Sequence, residues 1–349
     1  MIDNKIIVGI SQGDVNGISL EVILKTLSEP ALMDLCVPVL FSSQKTVSYY
    51  RKVLGMEEFN FHPLRDMNQV NSKKPNVFIC YEEEVSIEMG KATDQSGKYA
   101  KQSLEQAMQA LLNQQIDVLV TGPINKQNIQ AAGFHYPGHT EFLGEKLGGK
   151  PLMVLCSGEL RVAVATGHVP LKDVSKHITS ENLHEKIVAL HRSMVYDFGI
   201  RKPRIAVLGL NPHAGENGAI GEEEKQIIAP AVKKAAETML VYGPYSADGF
   251  FGSNTYKQFD AILAMYHDQG LIPFKTMAFH SGVNYTAGLS AVRTSPDHGT
   301  AYEIAGKNLA DPLSFKESIY LALDIFRNRR LYDEISANPL PFTQIKRER

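Results

Sequence analysis

Short runs of apolar, β-branched residues recur along this chain, and several of them are apolar throughout instead of alternating with polar residues. Continuous runs of this kind are typical of strands that are buried on both faces, as in a parallel sheet covered by helices. The runs that predict strands are residues 5–10 (KIIVGI), 37–41 (VPVLF), 76–80 (NVFIC), 117–121 (DVLVT), 152–156 (LMVLC), 161–166 (RVAVAT), 204–210 (RIAVLGL) and 261–266 (AILAMY).

Helical patterns lie between these runs. Two apolar stripes at helical spacing are Leu104, Ala107, Met108 and Leu111, and then Leu183, Ile187, Leu190 and Met194 after a Thr179/Ser180 capping signal. Strands that alternate with helices predict an α/β fold with flanking helices, largely parallel sheets and right-handed crossovers. The length of 349 residues indicates about two domains, with soft boundaries near 133–138 and 289–296. Because no long linker separates two halves, we expect the domains to share a cleft.

Composition excludes several classes of protein. The chain has 36 Lys and Arg against 38 Asp and Glu, so its net charge of −2 offers no basic surplus for nucleic acid or an anionic membrane. It contains no run of about 18 apolar residues and no signal-peptide pattern at its start. Three scattered cysteines are too few for a disulfide framework. These features predict a cytoplasmic protein with no nucleic-acid or membrane partner.

Polar clusters follow four of the predicted strands: residues 121–126 (TGPINK), 167–168 (GH), 211–215 (NPHAG) and 267–270 (HDQG). In open α/β sheets, ligands bind beyond the carboxyl ends of strands. His168, His213 and His267 could together hold a divalent cation, with Asp268 orienting its neighbouring imidazole. Their linear spacing matches no metal-binding motif, so surface or core histidines remain the alternative interpretation.

A second group of residues is suited to an anion. His139 and Thr140 open a predicted helix, where free backbone N–H groups and the helix dipole favour a phosphate or carboxylate. Lys275, Asn284 and Arg293 follow in a stretch interrupted by glycines, and a guanidinium can bind phosphate through two parallel hydrogen bonds. Solvated surface charges are the alternative. The chain contains no G-x-G-x-x-G and no Walker A sequence, so a standard dinucleotide fold is not predicted.

Seven ordered blocks carry a resemblance to a known family. They are TGPINK, PGHTEFL, ATGHVPL, LNPHAGE, AMYHDQGLIPFK, GVNYTAGL and RTSPDHGTAYEIAG, spread over nearly the whole chain. Together they resemble the PdxA family of 4-hydroxythreonine-4-phosphate dehydrogenases, which is similar in fold to the isocitrate and isopropylmalate dehydrogenases. The resemblance implies an active site in an interdomain cleft, between a terminal domain of residues 1–130 plus 295–349 and a central domain of residues 131–294 that also carries the dimer interface.

The resemblance also implies residue roles. His168, His213 and His267 match the family's metal ligands, for zinc or alternatively magnesium, manganese or cobalt. The substrate residues correspond to His139, Thr140, Lys275, Asn284 and Arg293. From the chemistry of the side chains, Lys275 is the candidate to move the proton, with Asp268 as its rival. NAD, or alternatively NADP, is expected near His298, Gly299, Thr300, Ala301 and Glu303, in a sequence similar to the cofactor loop of the isocitrate and isopropylmalate dehydrogenases. Family members are homodimers with shared active sites, and we expect His267 to come from the partner subunit.

The implied reaction is oxidation of the C3 hydroxyl of 4-phosphooxy-threonine to a β-keto acid. That acid loses CO₂ to give 3-amino-2-oxopropyl phosphate in pyridoxal phosphate biosynthesis. One departure stands out, because residues 13–21 read GDVNGISLE where the family usually reads GDPAGIGPE. This difference predicts a changed cleft wall and leaves open a phosphorylated threonate or erythronate as substrate. A zinc-dependent phosphoester hydrolase and a non-catalytic phospholigand-binding protein are the alternatives from other functional classes.

Overall fold

The computed structural model describes residues 5–136 and 138–340. Its strands in this part of the chain are β1 (Ile6–Ser11), β2 (Cys36–Ser42), β3 (His62–Leu64), β4 (Asn76–Ile79), β5 (Val118–Thr121), β6 (Gly149–Ser157), β7 (Leu160–Val164), β8 (Arg204–Leu208), β9 (Leu240–Tyr245), β10 (Ala261–Ala264), β11 (Val283–Leu289) and β12 (Val292–Pro296). Its α-helices there are α1 (Ser19–Leu27), α2 (Pro30–Leu35), α3 (Gln44–Val53), α4 (Asp94–Leu112), α5 (Lys126–Ala131), α6 (His139–Leu147), α7 (Val174–His177), α8 (Ser180–Tyr196), α9 (Ala229–Ala236), α10 (Ala247–Gly252), α11 (His267–Ala278) and α12 (Leu313–Ser336).

The strands form one continuous sheet in the order β3-β4-β2-β1-β5-β12-β11-β6-β7-β10-β8-β9. Eight of its eleven neighbouring pairs within the described residues are parallel, which confirms a largely parallel α/β fold. The three antiparallel pairs are consecutive and join β12, β11, β6 and β7. Three reversals in succession mean that β7 and β10 run opposite to β1 and β5.

This reversal determines where strand ends meet. Neighbouring strands rotate by roughly 20–25° relative to each other, so β10 is turned by about 100–125° relative to β5 over five steps. A strand that runs in the opposite direction and is also turned this far can present its carboxyl end to the same space as β5. The residues that follow β5, β7 and β10 do line one cavity.

All eight predicted strands are present, as β1, β2, β4, β5, β6, β7, β8 and β10. Both predicted apolar stripes lie on helices, in α4 and α8, and the Thr179 side chain accepts a hydrogen bond from the Asn182 backbone N–H at the start of α8. The strands β3, β9, β11 and β12 were not predicted. The last two carry Asn284 and Arg293, and the glycine-interrupted sequence around these residues does not predict strands.

A buried ionic network ties α8, β11 and α12 together. Arg329 donates to Asp197 at 2.7 Å and to the Tyr285 hydroxyl at 3.0 Å, and that hydroxyl donates to the second Asp197 oxygen at 2.6 Å. Ser193 donates to the same oxygen, also at 2.6 Å. Burial is the main reason that the pKa of Tyr285 lies well above its usual value, so the hydroxyl stays a donor. Asp197 and Arg329 therefore satisfy each other's charge inside the protein.

Candidate active site

One cavity of about 550 Å³ gathers most of the predicted site residues. It lies against the loops after β5, β7, β10 and β12 and against the first turns of α6 and α11. The predicted residues that line it are His139, Thr140, His168, His267, Asp268, Lys275, Asn284, Arg293, His298 and Gly299. His213, Thr300, Ala301 and Glu303 are not among its lining residues in the described part of the chain.

Arg293 is a buried cation at the floor of this cavity, with 2% of its surface exposed. Its guanidinium donates to the Thr121 hydroxyl at 2.6 Å, to the Thr286 hydroxyl at 3.2 Å and to Nδ1 of His139 at 3.1 Å. These partners carry no negative charge. Burial lowers the pKa of Arg293 to about 9. This value is still above neutral pH, so the guanidinium stays cationic. The charge of Glu141, which lines the same cavity, partly opposes the fall in pKa. A buried cation whose hydrogen-bond partners are all neutral favours binding of an anion from the cavity.

His139 completes this anion-binding end. Burial, and then the neighbouring Arg293 and Lys126 charges, hold the pKa of His139 well below its usual value, so its imidazole is neutral. Because Nδ1 accepts from Arg293, the ring proton belongs on Nε2. That Nε2 and Oδ1 of Asn284 are buried and have no hydrogen-bond partner among the described residues. Both can therefore bind a ligand, one as donor and one as acceptor.

The depressed pKa of His139 predicts a specific pH dependence of stability. A buried neutral histidine takes up its proton more readily in the unfolded chain, so the unfolded state gains protons as pH falls below about 6.5. The free energy of unfolding of the wild type should therefore fall relative to that of His139→Asn, by up to about 1.4 kcal/mol per pH unit. Urea unfolding of both proteins at pH 7, 6 and 5 measures this, and a difference that stays constant with pH would refute the assignment.

His168 and His267 lie side by side in the same cavity, with ring centres 5.5 Å apart. Two imidazoles that share a tetrahedral zinc ion at about 2.0–2.1 Å have ring centres about 5 Å apart, so the pair fits such an ion. The Asp268 carboxylate lies 2.7 Å from Nδ1 of His267, which leaves Nε2 as the free lone pair. Burial, followed by Lys126 and His267, lowers the pKa of His168 and favours its neutral, ligating form.

His213 lies apart from this pair. It is exposed on the loop after β8, close enough to Asp248 to help lower the pKa of that carboxyl, after the larger effect of the Ser246 hydrogen bond. Within the described residues of one chain, no group of three His, Cys, Asp or Glu side chains could hold a metal ion. His168 and His267 therefore lie together in one chain, and His213 is the histidine that lies apart. This arrangement does not agree with the expectation that His267 comes from the partner subunit.

Lys275 lies two turns after His267 on α11. Its amino group donates to the Asp297 carbonyl at 3.1 Å and lies 3.5 Å from the Asp297 carboxylate. Burial raises the pKa of Asp297, and the Lys275 charge opposes that rise. The amine therefore borders the cavity next to a carboxyl group whose pKa is shifted toward neutrality, an arrangement suited to moving a proton.

The loop after β12 meets the cavity only at its start. Nε2 of His298 is buried without a partner among the described residues, and Gly299 borders open space, so these two residues leave room for a bound group. Further on, the Thr300 carbonyl accepts from the Ile18 backbone N–H at 3.0 Å, and Ala301 has a positive φ of 42°. This part of the loop is turned toward the segment after β1.

Four residues of this site were missed as functional candidates. They are Thr121, Lys126, Glu141 and Asp297, which all line the cavity. Thr121 and Lys126 bound the TGPINK cluster after a predicted strand, so their strand-end position was a usable signal. Glu141 and Asp297 directly follow or precede predicted site residues, but their residue types alone gave no reason to choose them over other surface acids.

The unusual segment of residues 13–21 does not form the cavity wall. Val15, Asn16, Ser19 and Leu20 are fully buried, and none of them is a cavity-lining residue in the described chain. The Asn16 side chain donates to the Lys91 carbonyl at 2.9 Å and accepts from the Glu88 backbone N–H at 2.9 Å. These four residues therefore pack internally beside the described cavity, and the expected change in the cleft wall stays a prediction.

Comparison with known proteins agrees with the ordered motifs. The family described as "Pyridoxal phosphate biosynthetic protein PdxA" matches residues 34–322. The chain belongs to the PdxA family. It is 49% identical, over 97% of its length and 94% of the relative's, to a 4-hydroxythreonine-4-phosphate dehydrogenase of Bacteroides thetaiotaomicron. A dehydrogenase of the same name from Sulfurihydrogenibium sp. is 43% identical over 92% of this chain and 98% of the relative.

Solved PdxA structures share the fold. The crystal structure of 4-hydroxythreonine-4-phosphate dehydrogenase from Klebsiella pneumoniae is similar to this chain with a TM-score of 0.79 and 34% identity, covering 93% of this chain and 98% of the other. The α/β architecture described above is therefore that of PdxA proteins, and the resemblance carried by the seven sequence blocks is confirmed.

Proposed function

We propose that this chain is a 4-hydroxythreonine-4-phosphate dehydrogenase that oxidises the C3 hydroxyl of 4-phosphooxy-threonine with NAD⁺. The observation that carries the proposal is a buried Arg293 with only neutral partners, beside an imidazole pair in the same cavity. Such a cavity has one end for an anion and one end for a divalent cation. The names of the PdxA relatives point to the same reaction.

The anion-binding end would hold the substrate in place. Arg293 and the Nε2–H of His139 donate to a phosphate or carboxylate, and the first turn of α6 around Thr140 adds backbone N–H groups. Asn284 Oδ1 accepts from an ammonium or hydroxyl group of the substrate. Holding the phosphate or carboxylate and the ammonium or hydroxyl group of a short substrate in this way would orient its C3 hydroxyl toward His168 and His267.

His168 and His267 would hold a divalent cation, with zinc favoured by imidazole ligands and magnesium, manganese or cobalt as alternatives. When bound, the cation lowers the pKa of a coordinated hydroxyl and stabilises charge that develops on carbonyl oxygens. Asp268 orients His267, and this occupies its carboxylate. Lys275 is therefore the better candidate to take the hydroxyl proton, with Asp297 beside its amino group.

Cofactor and oligomer complete the proposal. His298 and Gly299 would contact NAD, or alternatively NADP, which accepts the C3 hydride; Thr300, Ala301 and Glu303 would belong to the same loop. The product, a β-keto acid, would lose CO₂ to give 3-amino-2-oxopropyl phosphate.

A homodimer would bring His213 of a second copy to the His168–His267 pair. In support, α11 and the residue after it expose the apolar side chains of Ile272, Met277 and Phe279, and Ile272 lines the cavity.

The predicted terminal and central domains and their cleft remain part of this proposal. A cytoplasmic location is proposed as well, since the three cysteines are free and buried. Among the described helices, none is long and apolar enough to cross a bilayer.

The decisive experiment measures formation of reduced nicotinamide by absorbance. Substrates are 4-phosphooxy-threonine and the 4-phosphates of threonate and erythronate, each with and without a chelator. We expect fastest turnover with 4-phosphooxy-threonine, loss with chelator and recovery on adding a divalent ion. Preference for a phosphorylated sugar acid would favour the related dehydrogenase. Release of inorganic phosphate without nicotinamide reduction would favour a zinc-dependent hydrolase, and binding without turnover a non-catalytic protein.

A further inference from the structure

The loop that carries His213 has a backbone conformation unlike the rest of the described chain. Five successive residues, 213–217, have positive φ values of 53°, 49°, 76°, 42° and 56°. Only Gly215 among them is a glycine. A left-handed conformation is unfavourable for each residue that bears a Cβ, because the Cβ crowds the following carbonyl oxygen. Strain of this kind persists only where the surrounding structure imposes it, and it is concentrated at functional sites.

The side chain of Glu224 anchors this turn through hydrogen bonds. Its side chain is buried, with 4% of the residue exposed. One carboxylate oxygen accepts from the backbone N–H groups of Leu210 and Asn211, both at 2.7 Å, and the other accepts from the Asn211 side-chain amide at 2.9 Å. The carboxylate therefore binds the chain where β8 leads into the left-handed turn.

The turn also packs directly on this carboxylate. A Cβ at Gly215, in the middle of the turn, would lie 2.5 Å from one Glu224 oxygen, and a Cβ at Gly209 would lie 3.1 Å from the other. Glu224 itself begins a π-helical segment, Glu224–Ile228. Such segments are rare and occur often at functional sites, where the extra residue shifts a side chain out of regular helical position.

We propose that Glu224 is a positioning residue for His213. Its buried carboxylate holds the strained turn in one conformation and so fixes the direction in which the exposed His213 side chain points away from the protein surface. This inference rests on the proposed function, which assigns His213 to a divalent cation. Three charge-assisted hydrogen bonds to one buried carboxylate supply the energy that keeps a strained turn in place.

The test measures affinity for Co²⁺, followed by its visible absorption, in the full-length protein. Glu224→Gln keeps the shape but places an amide N–H₂ against the Asn211 amide or the two backbone N–H groups. We expect its Co²⁺ affinity to fall by about 10–100-fold, the effect typical of groups that orient a metal ligand. Glu222→Gln removes an exposed carboxylate two residues earlier and should bind Co²⁺ as the wild type does.

Thermal unfolding of the same apo proteins separates positioning from folding. A merely structural role would lower the unfolding temperature of Glu224→Gln but leave the Co²⁺ affinity of the folded protein unchanged, and that result would overturn the inference. If Glu224→Gln does not fold, Asn211→Ala, which removes one donor to the carboxylate, takes its place. Wild-type Co²⁺ affinity in that variant would equally overturn it.

His213→Ala distinguishes the two levels of the argument. If it binds Co²⁺ as tightly as the wild type, the assignment of His213 to the cation is wrong and the proposed metal site fails. If His213→Ala weakens binding while folded Glu224→Gln does not, the metal site stands and the role of Glu224 is refuted. Parallel losses in both variants support the role of Glu224.

Discussion

Replacing Arg293 by methionine is expected to lower kcat/KM for the phosphorylated substrate by about 30- to 5,000-fold without unfolding the protein. The loss of a buried charged partner costs a ligand roughly 2–5 kcal/mol. The guanidinium is buried among hydroxyl groups and a neutral imidazole, so a bound anion supplies its counter-charge. Methionine fills similar space but offers no donor. Steady-state kinetics across substrate concentrations measures the effect.

The same substitution has an informative effect on the free protein. A desolvated cation with no charged hydrogen-bond partner is costly, so Arg293→Met should leave the free energy of unfolding unchanged or raise it. Arg293→Lys keeps the charge but loses the planar set of donors, and it should recover only part of kcat/KM. Wild-type kinetics for Arg293→Met would remove the anion site from the proposal.

Arg329→Met is the matched contrast, because Arg329 is also buried but is paired with Asp197 at 2.7 Å. Its loss leaves the Asp197 carboxylate buried with only hydroxyl partners and should lower the free energy of unfolding by about 3–5 kcal/mol. Urea unfolding measures this change. Arg329 does not line the catalytic cavity, so kcat/KM of the folded enzyme should stay within about threefold of the wild type.

A compensating substitution provides the control. In Asp197→Asn/Arg329→Met neither buried charge remains, so the double variant should be more stable than Arg329→Met alone. An Arg329→Met protein as stable as the wild type would show that the network contributes no net stability. A selective loss of kcat/KM in that variant would show that the two buried arginines are not functionally distinct.

Much of the fold could be predicted because buried strands leave a continuous apolar pattern. Runs such as residues 261–266 and 204–210 have no polar interruption, and both are strands. β11 and β12 were missed because polar residues face the site from within them: Asn284 and Thr286 in one, Arg293 and Ser295 in the other. The local pattern failed where function places polar groups in the sheet.

The site could be predicted in its residue types but not in its assembly. Strand-end positions grouped His168 with His267, whose ring centres lie 5.5 Å apart. Arg293 and His139 were grouped by their shared suitability for an anion, and they are hydrogen-bonded at 3.1 Å. The orientation of His213 depends on a left-handed turn in which four of five residues are not glycine, and no local propensity indicates such a turn. Nor does the sequence indicate that three antiparallel pairs reverse one half of the sheet.

Because His267 and Lys275 belong to the same helix, α11 fixes the distance between the His267 backbone and that of Lys275, whose amine borders the cavity. Eight residues at 1.5 Å each separate their Cα atoms by about 12 Å along the axis, and their directions differ by about 80° around it. Both values are set by α11 itself, which continues through Pro273, and not by the surrounding loops. Inserting one residue between them would swing the amine through about 100°, so the length of this segment is as constrained as the identity of its side chains.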